Sequence, residues 1–273
     1  MAYKFHWMHR NNWPNTKKGL RDMFMFLENR NIVSVLLPYG PYGTDFLLHL
    51  SDIFEHTVKI KIMIALPAYG MSPEYAMKTF VTAQRWGKHR LDLNLISGNY
   101  RGEIEQKVIR DYPWDVELIN SHEKRVALTE RWMKKFKVLL EEHKKLGVED
   151  EFRTVLYVVG ASDTTIRTAN EYADYIIIND RMLTEETMSR IKAKLLFVID
   201  PLILDEGQDP ESIEYHDYAF RKHDKHPIKG THEQVVKQLK DIAEKWGIQE
   251  FLIHTDQVDL TKIWRLVEEM QKA

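Results

Sequence analysis

The chain has 273 residues, 44 % of them apolar, a formal net charge of −2 and no cysteine. Such a chain can bury one large α/β core or two small ones, and without cysteine it has no disulfide, no Cys-ligated zinc and no thiol nucleophile. Lys and Glu are interspersed, no apolar run approaches the ~18 residues of a membrane span, and MAYKFHWMHRNNW lacks a secretory apolar segment, so a cytoplasmic protein with no nucleic-acid or membrane surface is expected.

Apolar β-branched runs predict strands over 3–8, 32–37, 59–66, 90–96, 153–159, 174–179, 195–200 and 249–254. Helical spacing predicts helices over 16–29, 44–55, 72–86, 121–146, 162–172, 184–193, 231–246 and 259–271. The two kinds alternate strictly, at about 34 residues per unit, and runs such as IVSVLL and YIIIN are apolar on both faces, as a buried parallel sheet requires. The pattern predicts a single (β/α)8 barrel domain over 1–273, with an open doubly wound sheet as the alternative. Long loops follow strand 4 (98–120) and strand 7 (201–230); their aromatics, Tyr100, Tyr112, Trp114, Tyr215, Tyr218 and Phe220, suggest that they pack over something.

Chemistry-bearing residues collect at strand C-terminal ends, the edge where parallel α/β proteins place their sites. On strand 1, alternation puts His6 and Met8 on one face and Trp7 on the other; His6 suits a hydrogen-bonded core histidine, while His9 and Arg10 sit at the loop and could meet a substrate. Strand 3 ends in Ala65-Leu66-Pro67, and Ser72-Pro73 opens the next helix as cap and first residue. Asn94 is unusual within an apolar strand, because a buried amide needs a partner; Ser97 and Gly98 close that strand. His122 and Arg125 open the fourth helix within a charged run that could equally be a solvated face. Gly160-Ala161-Ser162-Asp163 follows strand 5, where small residues and a helix N-terminus can receive a phosphate; an ordinary Ser cap explains the same residues, and the Asp163 charge opposes phosphate unless it points away. Asp200 ends strand 7, and Arg221 in the following loop could reach an anionic substrate or remain solvated. His216, His223 and His226 with Asp217 and Asp224 match no zinc spacing, so no metal is expected.

Four segments in series carry a family likeness: VLLPYGPYGTDFLLHLSDIFEHTVKIKIMIAL, SPEYAMKTFVTAQRWGKHRLDLNLISG, LYVVGASDTTIRTANEYADYIIIN and IKGTHEQVVKQLKDIAEKWGIQEFLIHT. In their order and wording the chain resembles the luciferase-like flavin-dependent monooxygenases, nearest the alkanesulfonate monooxygenase branch, in shortened form. The resemblance implies a TIM barrel that binds reduced FMN, with a deazaflavin as the alternative, and oxygenates a small organic substrate. A separate NAD(P)H flavin reductase would be its partner, since the chain has no Rossmann GxGxxG. It implies that Gly160, Ala161 and Ser162 hold the flavin phosphate, that Asn94 and Ser97 meet the ring edge, that Ala65 lies at a cis peptide against the ring, and that Arg125 lies near the flavin. His9, Arg10, Asp200 and Arg221 are the substrate-side candidates; no residue is assigned as general acid or base. Three departures stand out. Pro67 replaces an expected basic residue, Gly43 stands where the family carries a reactive-looking cysteine, and Val198 and Asp200 occupy the place of a basic pair that binds sulfonate. They argue against a sulfonate substrate and leave open a non-catalytic flavin-binding barrel, or a deazaflavin-dependent hydride-transfer enzyme. The apolar early helices (Met23 to Leu27; Phe46 to Leu48) suggest a homodimer or homotetramer.

Overall fold

The computed structural model describes residues 2–9, 16–38, 46–98, 121–145, 153–213, 228–255 and 257–273. Among them lie ten strands: β1 (Lys4–Met8), β2 (Ser34–Leu37), β3 (Lys61–Pro67), β4 (Leu91–Ile96), β5 (Leu156–Val159), β6 (Tyr175–Ile178), β7 (Lys194–Ile199), β8 (Leu202–Leu204), β9 (Lys229–Thr231) and β10 (Glu250–Ile253). The α-helices are α1 (Lys17–Glu28), α2 (Leu50–His56), α3 (Pro73–Gly87), α4 (His122–Lys145), α5 (Asp163–Tyr172), α6 (Glu185–Arg190), α7 (His232–Trp246) and α8 (Thr261–Lys272). Eight strands close a parallel barrel in the order β1-β10-β7-β6-β5-β4-β3-β2, so the alternation of strand and helix in the sequence builds a TIM barrel and not an open sheet.

The helix boundaries follow from capping. Thr16, Ser72, Ser162, Thr184 and Thr231 each stand just before a helix and accept an amide from its first turn. Pro73 takes the first position of α3, and Thr231 with Gln234 forms a reciprocal capping box on α7. The helix expected over 44–55 is a 3-10 turn, Phe46–His49, followed by α2. Two short strands are absent from the sequence reading. β8 and β9 pair in parallel, Leu202 to Lys229 through Leu204 to Thr231, and join the two ends of the long loop after β7. Three-residue strands carry too little periodicity to be read from sequence.

Alternation sorts the barrel strands into two cores. Phe5, Trp7, Val35, Leu37, Ile62, Ile64, Leu93, Leu95, Phe197 and Ile253 face the helices. Leu36, Met63, Ala65, Tyr157, Ile177, Leu196 and Leu252 fill the interior. The inward positions nearer the strand N-termini are polar. Glu250 accepts from Lys4 Nζ at 3.1 Å and Tyr175 OH at 3.1 Å, and its other oxygen lies 3.0 Å from Nε2 of His6. Nδ1 of His6 lies 2.6 Å from Ser34 Oγ. Asp92 accepts the Val155 amide at 3.1 Å and pairs with Lys61 at 3.3 Å. Tyr157 stacks on Tyr175 with ring centroids 4.9 Å apart. His6 is therefore a hydrogen-bonded structural histidine in the barrel floor.

The connections at this end are fastened by further buried polar groups. The Glu28 carboxylate accepts the amides of Val58, Lys59 and Ile60 at 3.0, 2.6 and 2.9 Å. Burial opposes the charge on Glu28, but those three amides and the positive charge of Arg90 outweigh it and lower its pKa. Arg90 donates to the carbonyls of Gly87, Ile60 and Phe54 and to Thr57 Oγ1. Conserving shape at the N-terminal end of a barrel while leaving the other end for chemistry is the division of labour this fold permits.

Burial drives the Asp92 carboxyl up to about 6 despite the Lys61 charge and the Val155 amide. The folded protein therefore binds a proton more tightly here than the unfolded chain, and stability falls as pH rises from about 4 towards 6. The expected loss across that window is about 3 kcal/mol. Asp92→Asn has no ionisation to suppress, and it keeps an acceptor for Val155. Denaturant unfolding at several pH values between 4.5 and 7 should show the decline in the wild type and its absence in the variant; parallel curves would contradict this account of Asp92.

Candidate active site at the barrel mouth

The C-terminal ends of the strands continue the same inward alternation. β4 brings Asp92, Asn94 and then Ile96 to the inside, and β3 sets Ala65 beside Asn94 in register. β6 brings Tyr175, Ile177 and Asn179, β7 brings Leu196, Val198 and Asp200, and β10 brings Glu250, Leu252 and His254. The mouth is thus walled by Ala65, Asn94, Asn179, Asp200 and His254 above an apolar layer.

Asn94 is the informative member. It is 1 % exposed, and its Oδ1 has no hydrogen-bond partner. A buried amide oxygen left without a donor costs about 1–3 kcal/mol, so folding stability does not explain an asparagine at this place. Asn179 Oδ1 is also buried without a partner. Ala65, the small neighbour of Asn94, leaves its side of the wall low. Every peptide bond among the described residues is trans, so no cis peptide stands near Ala65-Leu66-Pro67, where the resemblance implies one. Pro67 ends the strand, and the Gly70 amide turns back to its carbonyl at 2.8 Å.

Ser97 and Gly98 follow β4 at the rim, both partly exposed. Gly98 has φ +77°, and any Cβ there would run into the Tyr69 ring. The close approach of the two rim loops therefore requires glycine. Trp132 on α4 donates its indole N–H to Met71 O at 2.7 Å and fastens the loop after β3 from outside.

At the end of β5, Gly160 takes φ +124° and donates its amide to Ile177 O at 3.1 Å. Ala161 is partly exposed, and Ser162 caps α5, accepting the Thr165 amide at 3.2 Å. The capping role is real, and the two small residues before α5 stand at a helix N-terminus, a combination that can also receive a phosphate. Asp163, whose charge would oppose one, pairs with Arg190 at 2.8 Å. Arg125 is not a solvated charge. It is 6 % exposed, while His122, Glu123 and Lys124 beside it are exposed. The charged run in the sequence therefore conceals one buried guanidinium.

His9 follows β1. It is 2 % exposed, its amide donates to Leu36 O at 2.8 Å, and its ring packs edge-on against Phe46 at 5.7 Å. Asp200 Oδ2 lies 3.7 Å from Nδ1 of His254. The sequence reading did not single out Asn179 or His254; both occupy the last inward position of their strands, and counting alternation one residue past the apolar run would have found them. Arg10, Arg221, Gly43, the His216/His223/His226 group and most of the loops 98–120 and 201–230 lie outside the described residues.

Among the described residues, Asp52, Glu55 and His56 could bring ligand atoms together around a metal ion. Asp52 already pairs with Lys17 at 3.0 Å, and the His56 ring meets the Asp52 carbonyl at 2.7 Å, so the group reads as a structural cluster on α2. No helix among the described residues is long and apolar enough to cross a membrane.

No family model matches the sequence, and no curated protein matches it. Solved structures do match in fold. A riboflavin lyase, solved with modified FMN and riboflavin, superposes with a TM-score of 0.73 at 11 % identity, over 100 % of this chain and 91 % of that one. A long-chain alkane monooxygenase gives 0.72 at 13 % identity, over 100 % and 92 %. A coenzyme F420-dependent tetrahydromethanopterin reductase from Methanopyrus kandleri gives 0.62 at 13 %, over 100 % and 98 %. At these identities the likeness establishes the barrel and its extent.

Proposed function

We propose that this protein is a flavin-dependent monooxygenase of the two-component type. Reduced FMN, supplied by a separate NAD(P)H flavin reductase, and oxygen would convert a small organic substrate to its oxygenated product. The observation that carries the proposal is Asn94: an amide oxygen, buried and without a partner, on strand β4 of a barrel similar in fold to those of a riboflavin lyase solved with modified FMN and an alkane monooxygenase. A flat ring system with an N–H donor on its edge satisfies that oxygen, and an aliphatic ligand does not.

The described residues fit a flavin. Asn94 would hold the ring edge, with Ser97 at the rim, Ala65 against the ring face and Arg125 as the nearby buried cation. Gly160, Ala161 and Ser162 would receive the phosphate on the amides of α5. When bound, the flavin supplies the electrons and the activation of oxygen; the protein supplies position and a dry site. His9 and Asp200 border the substrate side, with Arg10 and Arg221 as further candidates. With Asp200 at the mouth, a sulfonate is disfavoured, because a carboxylate repels it, and a neutral or cationic substrate fits better. The chain would act as a single cytoplasmic barrel domain over 1–273, assembled as a homodimer or homotetramer.

The reductase-like neighbour supports a second reading, in which a deazaflavin transfers hydride and oxygen takes no part. Oxygen uptake separates the two. With FMN, NADH and a flavin reductase, the proposed protein raises uptake above that of the reductase alone when presented with its substrate class. Uptake unchanged across aldehydes, ketones, alkanes and amines, together with hydride transfer from reduced deazaflavin, would sustain the second reading. No turnover with either cofactor would leave a non-catalytic flavin-binding barrel.

A further inference from the structure

The flavin reading leaves Asn179 without a role. The residue follows β6 directly, and its φ of −114° and ψ of 177° carry the extended chain one step past the strand. Alternation therefore turns its side chain inward, after Tyr175 and Ile177. β6 pairs with β7 from Tyr175 with Lys194 to Ile178 with Phe197. One step further in that register, Asn179 stands beside Val198, one inward position below Asp200 on the neighbouring strand. On the other side, Asn94 shares a row with Tyr157, and Tyr157 with Tyr175. Asn179 lies two inward positions beyond Tyr175, more than the tilt of barrel strands takes back, so it is nearer the mouth than Asn94.

The ordinary reasons for an asparagine at this place fail. Asn179 is the cap of the short 3-10 turn Asp180–Met182, but only its carbonyl serves, accepting the Met182 amide at 3.0 Å; the side chain makes no capping bond. Nor does it fasten a loop, as Asn170 does by donating to Arg190 O at 2.8 Å and accepting the Lys192 amide at 2.7 Å. Asn179 Oδ1 is buried without a hydrogen-bond partner, in a residue that is itself partly exposed. A buried acceptor with no donor is a cost to folding, and the partial exposure leaves a way in from the mouth.

We infer that Asn179 is a substrate-binding residue and that it selects a substrate bearing an O–H or N–H donor, an alcohol or a primary amine. The inference rests on the reading of the barrel mouth as the active site and adds the substrate class; it does not depend on which flavin the site takes. Asn179 Oδ1 accepts the donor, and the inward apolar side chains of Ile177, Leu252 and Val198 receive the hydrocarbon body. A ketone, an ester or a sulfonate offers only acceptors and would set its lone pairs against those of the amide oxygen. A site built to hydrogen-bond an O–H or N–H discriminates against the analogue that lacks it, because its own polar group is then left unpaired.

Cyclohexanol, cyclohexylamine and cyclohexanone are close in shape and differ at the polar atom, so they probe this contact without turnover. Each is titrated calorimetrically, without and with oxidised FMN, into the wild type, Asn179→Leu and Asn179→Asp. The wild type should bind the alcohol and the amine about 10-fold more tightly than the ketone. Asn179→Leu should lose that preference, keep its affinity for the ketone and melt no lower than the wild type, which a structural role would not allow. Asn179→Asp retains an acceptor; it should keep the alcohol and bind the amine more tightly than the wild type does, and it carries the test if the leucine variant does not melt cooperatively. Equal affinity of the wild type for the three probes, binding of none of them, or a preference that survives in Asn179→Leu overturns the inference. FMN affinity that falls in Asn179→Leu while the probe affinities stay unchanged assigns the oxygen to the cofactor and overturns it as well. Probes that bind as expected to a protein that does not bind FMN would overturn the flavin reading and leave the role of Asn179 standing.

Discussion

Glu250→Ala lowers stability by about 3–5 kcal/mol at neutral pH, the usual effect of removing one partner from a buried charged network. The carboxylate is the hub of the barrel floor. Lys4, His6 and Tyr175 all meet it within 3.1 Å, and its side chain is 12 % exposed. Burial alone would raise its pKa, but the hydrogen bond and charge of His6, followed by those of Lys4, lower it to about 2. The folded-state pKa lies below the unfolded value, so this contribution is fully present above about pH 4.5 and is lost as pH falls towards 2. Without the carboxylate, the Tyr175 hydroxyl and the His6 ring remain inside the barrel with no acceptor, and each such group costs about 1–3 kcal/mol. Urea unfolding at pH 7 measures the effect, and a loss under about 1 kcal/mol would mean that water or a rearranged Lys4 replaces the network. Glu250→Gln, which keeps one acceptor, should lose less than the alanine variant.

Asn94→Leu is expected to separate stability from function. The two side chains are close in size, and leucine suits a site that is 1 % exposed between apolar neighbours. The substitution removes an amide oxygen that has no donor, so the protein should become more stable by about 1 kcal/mol. The same change removes the acceptor proposed for the flavin edge. FMN affinity should fall about 10- to 100-fold, the worth of a hydrogen bond of about 1.5–3 kcal/mol in a buried site. Thermal melting and fluorescence titration on the same preparation read the two effects. A destabilised variant with unchanged FMN affinity would make Asn94 a packing residue. Proteins keep destabilising residues where activity needs them, and the opposite signs of the two effects are what identify such a residue.

The barrel itself was legible because its signals are long. Strands such as Lys61–Pro67 and Leu91–Ile96 and helices such as Pro73–Gly87 carry caps, period and length together, and their boundaries fall within a few residues of the sequence reading. The polar floor was not legible. His6, Ser34, Asp92, Tyr175 and Glu250 come from five different strands, and only closure of the barrel brings them together. The β8–β9 pair was missed for the same reason, since Leu202 and Lys229 are partners only in space. At the mouth, Asn94 stood out as a polar residue in an apolar run. Arg125 was obscured by the exposed charges next to it, and His254 by its position one residue past its strand. The closeness of His254 to Asp200 depends on β7 and β10 being neighbours, which no local pattern reveals.

The central claim is that the C-terminal mouth binds a flavin with its phosphate on α5. Anaerobic fluorescence titration with oxidised and with reduced FMN, on the wild type and on Ser162→Asp, tests it most directly. Aspartate caps a helix as well as serine does, so α5 survives the substitution, and the added charge sits where the phosphate would lie. The account predicts tighter binding of reduced than of oxidised FMN in the wild type, and loss of binding in the variant. Equal binding by the two proteins would move the phosphate elsewhere, and no binding of either form by the wild type would contradict the claim.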